Sequence, residues 1–547
     1  MLLENVKVKR PTTTKIQRKK DGNTYVYQVI EQTYYPDKKY AVDKRKMIGK
    51  MIDEVWMIPN EHFATYYPEE ATEPEQPKFS DTLKVGMFSV IHKVMKQLEI
   101  DRMLESVFPK DALFIQDILS YILTRESCTF QYFQNFMRDH PVLDGLRDDT
   151  QISRLLKERI KEEDIELFMR GWNQLSKTDE KIYVAYDSTN MNSHAYGIEF
   201  VEYGHPKIEE GLPQFNLSYS IRQEDSRPLF YELYDGSVND VTQLSVMLEM
   251  AQEYGYKGIG LLMDRGYMSK ENIRRMRRKE FDYILMLKED QPECKELLNE
   301  YGPLIKSLEG YYIEEHGVYG KTVKKEFCKR EDYFHIFYDD VRASKERKAL
   351  MEKCRTWEKE LDKKVAKKLV PQKDVKKYKK YYRLKFDMNH YLIGYERKHR
   401  AIKKELDTLG FFYILSSQEM DAAKVLDIYR SRDNIEKMFT SLKSGIDYNK
   451  ARVHTVESLK SKTFLTFIAM IIRNEIFIRM EDLRKKNRKE YTVPSMISIL
   501  ETIECSKGSD GQYRKRYALT AKQKSILKQF DITESDITKW IQTFQYE

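Results

Sequence analysis

The sequence predicts an α/β fold: a mixed-sheet core, with a small domain and a helical region before it and an insertion within it. Three observations predict this. Between about residues 181 and 288, short apolar runs of the kind that form buried strands alternate with stretches at helical spacing. That rhythm stops near residue 289 and resumes near 406. The chain has 547 residues, 41% hydrophobic and 33% charged, with no low-complexity tract, which suits a globular protein of several domains rather than a disordered one.

Residues 1–78 read as a small basic domain and a linker. They hold a strand-like stretch at 24–31 and end in a Pro/Glu-rich run at 68–77. Residues 79–178 read as a helical region, with Leu83, Met87, Ile91, Val94 and Leu98 at helical spacing. The first part of the core, 179–288, opens with a β-rich run, 181–186, that ends at Asp187, followed by strands at 214–221 and 228–234. A helix at 240–254 follows, with Asn239 or Asp240 placed to cap it. A continuous apolar run at 258–263 then ends at Asp264, and a basic helix, 269–280, leads to a strand at 283–287. Residues 289–405 read as an insertion. Its strand-like pieces at 333–338 and 381–386 flank a charged helix with Leu350, Trp357, Leu361, Val365 and Leu369 on one stripe. The core resumes over 406–460 with a strand at 410–416 and a helix at 421–444, and 461–547 form a C-terminal helical region.

The longest apolar run, 464–472, is too short to span a bilayer and reads as a core helix. No apolar signal segment opens the chain, so a cytoplasmic location is expected. The cysteines, 128, 294, 328, 354 and 505, are odd in number and form no CxxC pair. This argues against a disulfide framework and a zinc finger and for a reducing compartment.

The net charge of +8 is unevenly placed: residues 345–385 carry a local +11 and residues 1–50 another +8, leaving the rest at −11. Two basic blocks suit a polyanion touching the protein at several places, although a solvated surface gives the same pattern.

Asp187 and Asp264 each close a buried strand, the position at which ligands gather in α/β sheets. Tyr429, Arg432, Glu436 and Lys443 are spaced by three, four and seven. At about 100° per residue they share a stripe roughly 60° wide on one helix. Ile428, Ile435, Phe439, Leu442 and Ile446 form the adjacent apolar stripe that would seat that helix. Glu436 can ligate a metal while Arg432 and Lys443 grip phosphate oxygens and Tyr429 hydrogen-bonds a phosphate or orients the acid. A solvated face with Arg432 and Glu436 paired at i,i+4 has the same spacing.

YDST around Asp187, MDRGY around Asp264 and the Y-x2-R-x3-E-x6-K pattern of Tyr429, Arg432, Glu436 and Lys443 resemble the DDE transposases of bacterial insertion sequences that carry the YREK signature. The resemblance runs from about 181 to 443. It implies a ribonuclease-H-like core interrupted by a mostly β insertion domain. It also implies a catalytic and metal-binding triad of Asp187, Asp264 and Glu436 holding two Mg²⁺ ions, with Mn²⁺ able to substitute, and DNA-phosphate contacts from Tyr429, Arg432 and Lys443. The implied partners are DNA, as terminal inverted repeats and target, and a second protomer on paired ends. The implied place of action is the nucleoid of a bacterial cytoplasm. No equivalent of an aromatic wedge for a flipped base is visible.

His194, His205 and His454 stand apart without metal-ligand spacing, and no Walker-type glycine loop is present. The expected reaction is hydrolysis at each element end followed by attack of the 3′-OH on target DNA. Its rivals are a metal-dependent nuclease that cuts without joining and a DNA-binding regulator without catalysis.

Overall fold

Alternation of apolar with polar residues makes residues 214–222 a long strand, and it pairs with residues 183–192 to begin the central sheet. The computed structural model describes residues 7–544 apart from 21, 36–38, 69–79, 178–180, 194–196, 204–211, 239, 308, 368–374 and 390. The proposed linker, His194, His205, Asn239 and Leu369 therefore lie outside the described residues. The chain divides into two units, one of residues 1–81 with 545–547 and one of residues 82–544.

In the first unit five antiparallel strands form one sheet, in the order Val8–Lys9, Trp56–Pro59, Tyr40–Met51, Thr24–Tyr35, Lys15–Arg18. Val8, Val26, Ile48, Met57 and Phe63 make its core.

The second unit is organised by a nine-stranded mixed sheet. Its strands are β1 (Tyr183–Asn192), β2 (Gln214–Arg222), β3 (Pro228–Asp235), β4 (Gly260–Met263), β5 (Asp282–Met286), β6 (Tyr312–Ile313), β7 (Val318–Phe327), β8 (Arg330–Tyr338) and β9 (Phe411–Ser416). Their spatial order is β6-β7-β8-β9-β5-β4-β1-β2-β3. β4 runs parallel to β1 and β5, and every other pair is antiparallel. Two crossover helices, α1 (Asp240–Glu253) and α2 (Lys270–Arg278), supply the connections that parallel strands require. Ser269 caps α2 by accepting from the Asn272 N–H.

The hairpin β7-β8 belongs to this sheet rather than to a separate insert. Tyr333–Tyr338 pair with β9, and Phe334, Ile336 and Phe337 are fully buried. A polar lock adds to that: Asp332, 1% exposed, accepts from Arg277 at 2.6 Å and from the Tyr283 hydroxyl at 2.9 Å. What stands outside the sheet is a long helix (Asp340–Ala366), a hairpin (Tyr382–Phe386 with Leu392–Arg397) and a helix (His399–Thr408). Leu350, Cys354, Leu361, Tyr378, Tyr382 and Leu392 form its own core. Helix outweighs strand here, which corrects the mostly β insertion that the resemblance implies. The apolar stripe on the 27-residue helix is what gives the hairpin a surface to pack on.

Residues 86–175 are helical, in elements from Gly86–Gln97 to Glu162–Leu175. The apolar run at 464–472 lies in one helix, α5 (Val456–Arg479), buried along almost its whole length. Phe464 packs against Phe108 and Phe168, and Phe467 against Tyr219 and Tyr231, so α5 ties the helical region to the sheet. The C-terminal region also carries two strands, Glu504–Lys507 and Tyr513–Lys515. The first pairs with Thr82–Lys84, so the two ends of this unit share a sheet. Gly86 makes that junction possible, since a Cβ there would stand 2.1 Å from the Leu500 carbonyl oxygen. No helix among the described residues is long and apolar enough to cross a membrane.

Candidate active site

β1 does not end at Asp187, as its sequence suggests. It continues five residues further, paired with β2, and Asp187 sits opposite Tyr219. Pairing with β4, however, ends at Ala185, opposite Leu262. Tyr183, Val184 and Ala185 match Gly260, Leu261 and Leu262, so Asp187 and Asp264 each follow the last matched pair by two residues. Asp264 stands just past β4 at the start of a short turn, and its charge, like that of Asp187, acts on Arg432. Each is held alike, with Oδ1 accepting the N–H of the next residue, from Ser188 at 2.8 Å and from Arg265 at 2.7 Å.

The helix carrying the other candidates is not continuous. α3 (Ala422–Arg430) stops at Ser431 and Arg432, α4 (Asp433–Thr440) follows, and Ser441–Gly445 form a wider π turn. Ile435, Phe439, Leu442 and Ile446 are buried as their stripe predicts, while Ile428 is only half-buried. Tyr429, placed by its spacing on the polar stripe, is buried with 7% exposure. The break after α3 turns it inward.

Arg432 is the centre of the constellation. Its Nη1 donates to Asp187 Oδ2 at 3.2 Å and its Nη2 to Glu436 Oε1 at 2.6 Å, while the guanidinium lies 5.9 Å from the centroid of the Tyr429 ring. Burial disfavours its charge, yet Tyr429, Asp187, Asp264 and Glu436 together hold it protonated more firmly than usual. Burial likewise pushes the Tyr429 phenol well above its ordinary range, against the Arg432 cation and with the Asp264 and Asp187 charges. Arg432 Nε is buried and makes no hydrogen bond, leaving a donor in hand. Lys443, carried by the π turn, donates to Thr189 Oγ1 at 2.5 Å. Thr189 is two residues beyond Asp187 on β1 and therefore shares its face. Thr189 was not singled out in the sequence; strand alternation continued past Asp187 would have found it.

The fold thus brings Asp187, Arg432 and Glu436 together directly, Lys443 through Thr189, and Asp264 and Tyr429 through charge. Among the described residues no three His, Cys, Asp or Glu side chains stand close enough to hold a metal ion. Glu436 is instead turned onto Arg432, and its side chain is 58% exposed. The Glu436 end of the pair stands in water while the Arg432 end is buried, so the carboxylate can swing into solvent only by leaving a buried cation to Asp187 alone. The donor set of hard carboxylate oxygens fits a divalent cation such as Mg²⁺. Elsewhere, part of the basic block at 345–385 is already neutralised within the chain, for Lys377 pairs with Glu360 and Lys380 with Glu405.

Residues 179–472, more than half of the chain, match the family described as the transposase DDE domain, and the chain belongs to that family. The structure is similar to a piggyBac transposase synaptic complex with hairpin DNA, solved by cryo-EM. That likeness has 8% identity and a TM-score of 0.36 over 84% of this chain and 83% of that one. It is also similar to a Mos1 transposase paired-end complex with left transposon end, at 12% identity, a TM-score of 0.14, and 39% and 60% coverage. No curated protein matches the sequence.

Proposed function

We propose that this chain is a DNA transposase that cuts at the ends of an insertion sequence and joins the freed 3′-OH to target DNA, with Asp187, Asp264 and Glu436 as its catalytic carboxylates. The observation that carries the reading is the convergence of those acids on Arg432: Asp187 and Glu436 by hydrogen bond, Asp264 by its charge. The strand order β3-β2-β1-β4-β5 with crossover helices supports a ribonuclease-H-like core. The transposase DDE domain match supports both.

Asp187, Asp264 and Glu436 would hold two divalent ions, Mg²⁺ with Mn²⁺ as substitute, and these supply Lewis-acid activation of the attacking and leaving oxygens. The chain's own residues position the DNA. Arg432, with a free Nε and a rigid fork, takes two phosphate oxygens once Glu436 swings away, and Lys443 takes a third from the Thr189 side. Tyr429, kept neutral by burial, offers its hydroxyl as a donor to the phosphate or to an acid. We assign DNA-end binding to residues 1–78 and 79–178 and backbone contacts to the insertion at 289–405. Two protomers work on paired ends, in the bacterial cytoplasm at the nucleoid.

The test is cleavage of the element's own end DNA by purified protein in Mg²⁺ or Mn²⁺. Asp187→Asn abolishes cleavage and keeps DNA binding; a variant that still cuts like the parent defeats the assignment. Pre-cleaved ends then separate a transposase from a nuclease, since only the former yields joined products. The ion pairs that tie Asp187 and Glu436 to Arg432 favour one second reading, a DNA-binding regulator without catalysis. On that reading the parent protein and Asp187→Asn are equally inert on end DNA.

A further inference from the structure

A cavity of about 300 Å³ lies behind α4, on a wall formed by α5 and residues 484–494. Its lining includes four cations, Lys437, Arg473, Arg484 and Arg488, and no carboxylate. Arg473, with a side chain 8% exposed, is held by Ser441 at 2.9 Å and Glu126 at 2.6 Å, and its Nη1 is buried without a hydrogen-bond partner. A buried guanidinium with a donor to spare is costly unless something accepts from it. Arg484 lies flat on Phe477, 3.6 Å from the ring centroid, and burial together with the neighbouring Arg488 disfavours its charge. An anion between these groups relieves both costs. Met438, Met470, Val493 and Pro494 give the wall its apolar part beside neutral serine, asparagine and threonine side chains, and Phe477 is 42% exposed although it is a large aromatic.

A lining with four cations, no carboxylate and an aromatic ring beside a guanidinium suits a ligand that is at once anionic and aromatic. We infer that this cavity binds a nucleotide, its phosphate held by Arg473, Arg488 and Lys437 and its base against Phe477, Arg484 and Met438. The volume is at the lower end of small-ligand sites, enough for one mononucleotide. Two sources share this chemistry, a free mononucleotide and an unstacked nucleotide of a bound strand. The inference does not rest on the catalytic assignment. The cavity uses no residue of the carboxylate site, although it shares α4 with Glu436, so occupancy and the posture of that helix are linked.

Isothermal titration calorimetry of the full chain with AMP, adenosine, ribose 5-phosphate and inorganic phosphate tests it. AMP is expected to bind at least about tenfold more tightly than any of the three fragments, a difference of about 1.4 kcal/mol. Phe477→Ala and Arg488→Ala, both at exposed positions and checked for unchanged melting, each weaken AMP by about tenfold. Asp187→Asn binds AMP as the parent does, so the result stands apart from that of the cleavage assay. A single-stranded oligonucleotide carrying 2-aminopurine separates the sources. If a strand nucleotide enters, its fluorescence changes on binding, AMP reverses the change, and Arg488→Ala removes it; if only free nucleotide enters, the oligonucleotide leaves AMP binding unaffected. No AMP binding at millimolar concentration, phosphate binding as tightly as AMP, or either cavity variant binding AMP like the parent overturns the inference.

Discussion

Arg432 occupies the position from which a divalent cation would draw its ligands, and replacing it with methionine tests that reading from two sides. The side chain bonds Asp187, itself 20% exposed, at 3.2 Å, and Glu436, 58% exposed, at 2.6 Å. A hydrogen bond to a partly buried charged group is worth about 1.5–3 kcal/mol, and an exposed i,i+4 pair about 0.3–0.5. A cation claiming both carboxylates must give up both contacts and overcome the repulsion of a fixed positive charge. Arg432→Met keeps most of the volume and removes the competitor, so Mn²⁺ or Mg²⁺ affinity should rise by about tenfold or more, which corresponds to 1.4 kcal/mol. DNA affinity should move the other way, because a phosphate contact is lost, and the slope of log K against log salt should shrink by about 1. Calorimetry with the metal and fluorescence anisotropy with end DNA across salt read the two effects. Metal affinity that stays level, or falls together with DNA affinity, refutes the placement of Arg432 between the acids.

Asp332→Ala strands the buried Arg277 cation and should cost about 3–5 kcal/mol in urea unfolding, whereas Asp332→Leu with Arg277→Met should recover much of the loss. His140 is buried between Asp139 at 2.6 Å and Glu501 at 2.8 Å. Burial favours its neutral ring, but the two acids outweigh it and raise its pKa above the ordinary 6.5. A raised histidine stabilises fully below its unfolded value and progressively less as pH climbs through the folded one. Stability should therefore decline from about pH 6.5 upward, and His140→Gln should flatten that slope in melts across pH. Gly86→Ala forces a methyl onto the Leu500 carbonyl and should destabilise by about 1–3 kcal/mol, or more if the backbone resists, as read by urea unfolding of the full chain.

The central elements were legible because period and propensity are local properties. Strands at 214–222, 228–235 and 411–416 and the helix at 240–253 fall where apolar runs and alternation place them. The stripe of Ile435, Phe439, Leu442 and Ile446 is buried for the same reason. Arg432, Glu436 and Lys443 face one region, as their spacing predicts, but they reach it by a broken helix and a π turn that spacing cannot reveal. Asp187 was read as the end of a strand because the continuous apolar run stops there; β2 goes on supplying hydrogen-bond partners to Asn192, which no local signal announces.

By itself the sequence determined where most strands and helices of the core lie and which acids and cations are available to chemistry, since these follow from side-chain periods along one segment. Only the tertiary structure decided the partners. It brought the charges of Asp187 and Asp264 to Arg432, gave β7 and β8 to the main sheet, joined Thr82–Lys84 to Glu504–Lys507 across most of the chain, and turned Glu436 onto Arg432. Pairings between distant segments depend on register and on competition among many possible neighbours, and neither is written in the period of any one of them.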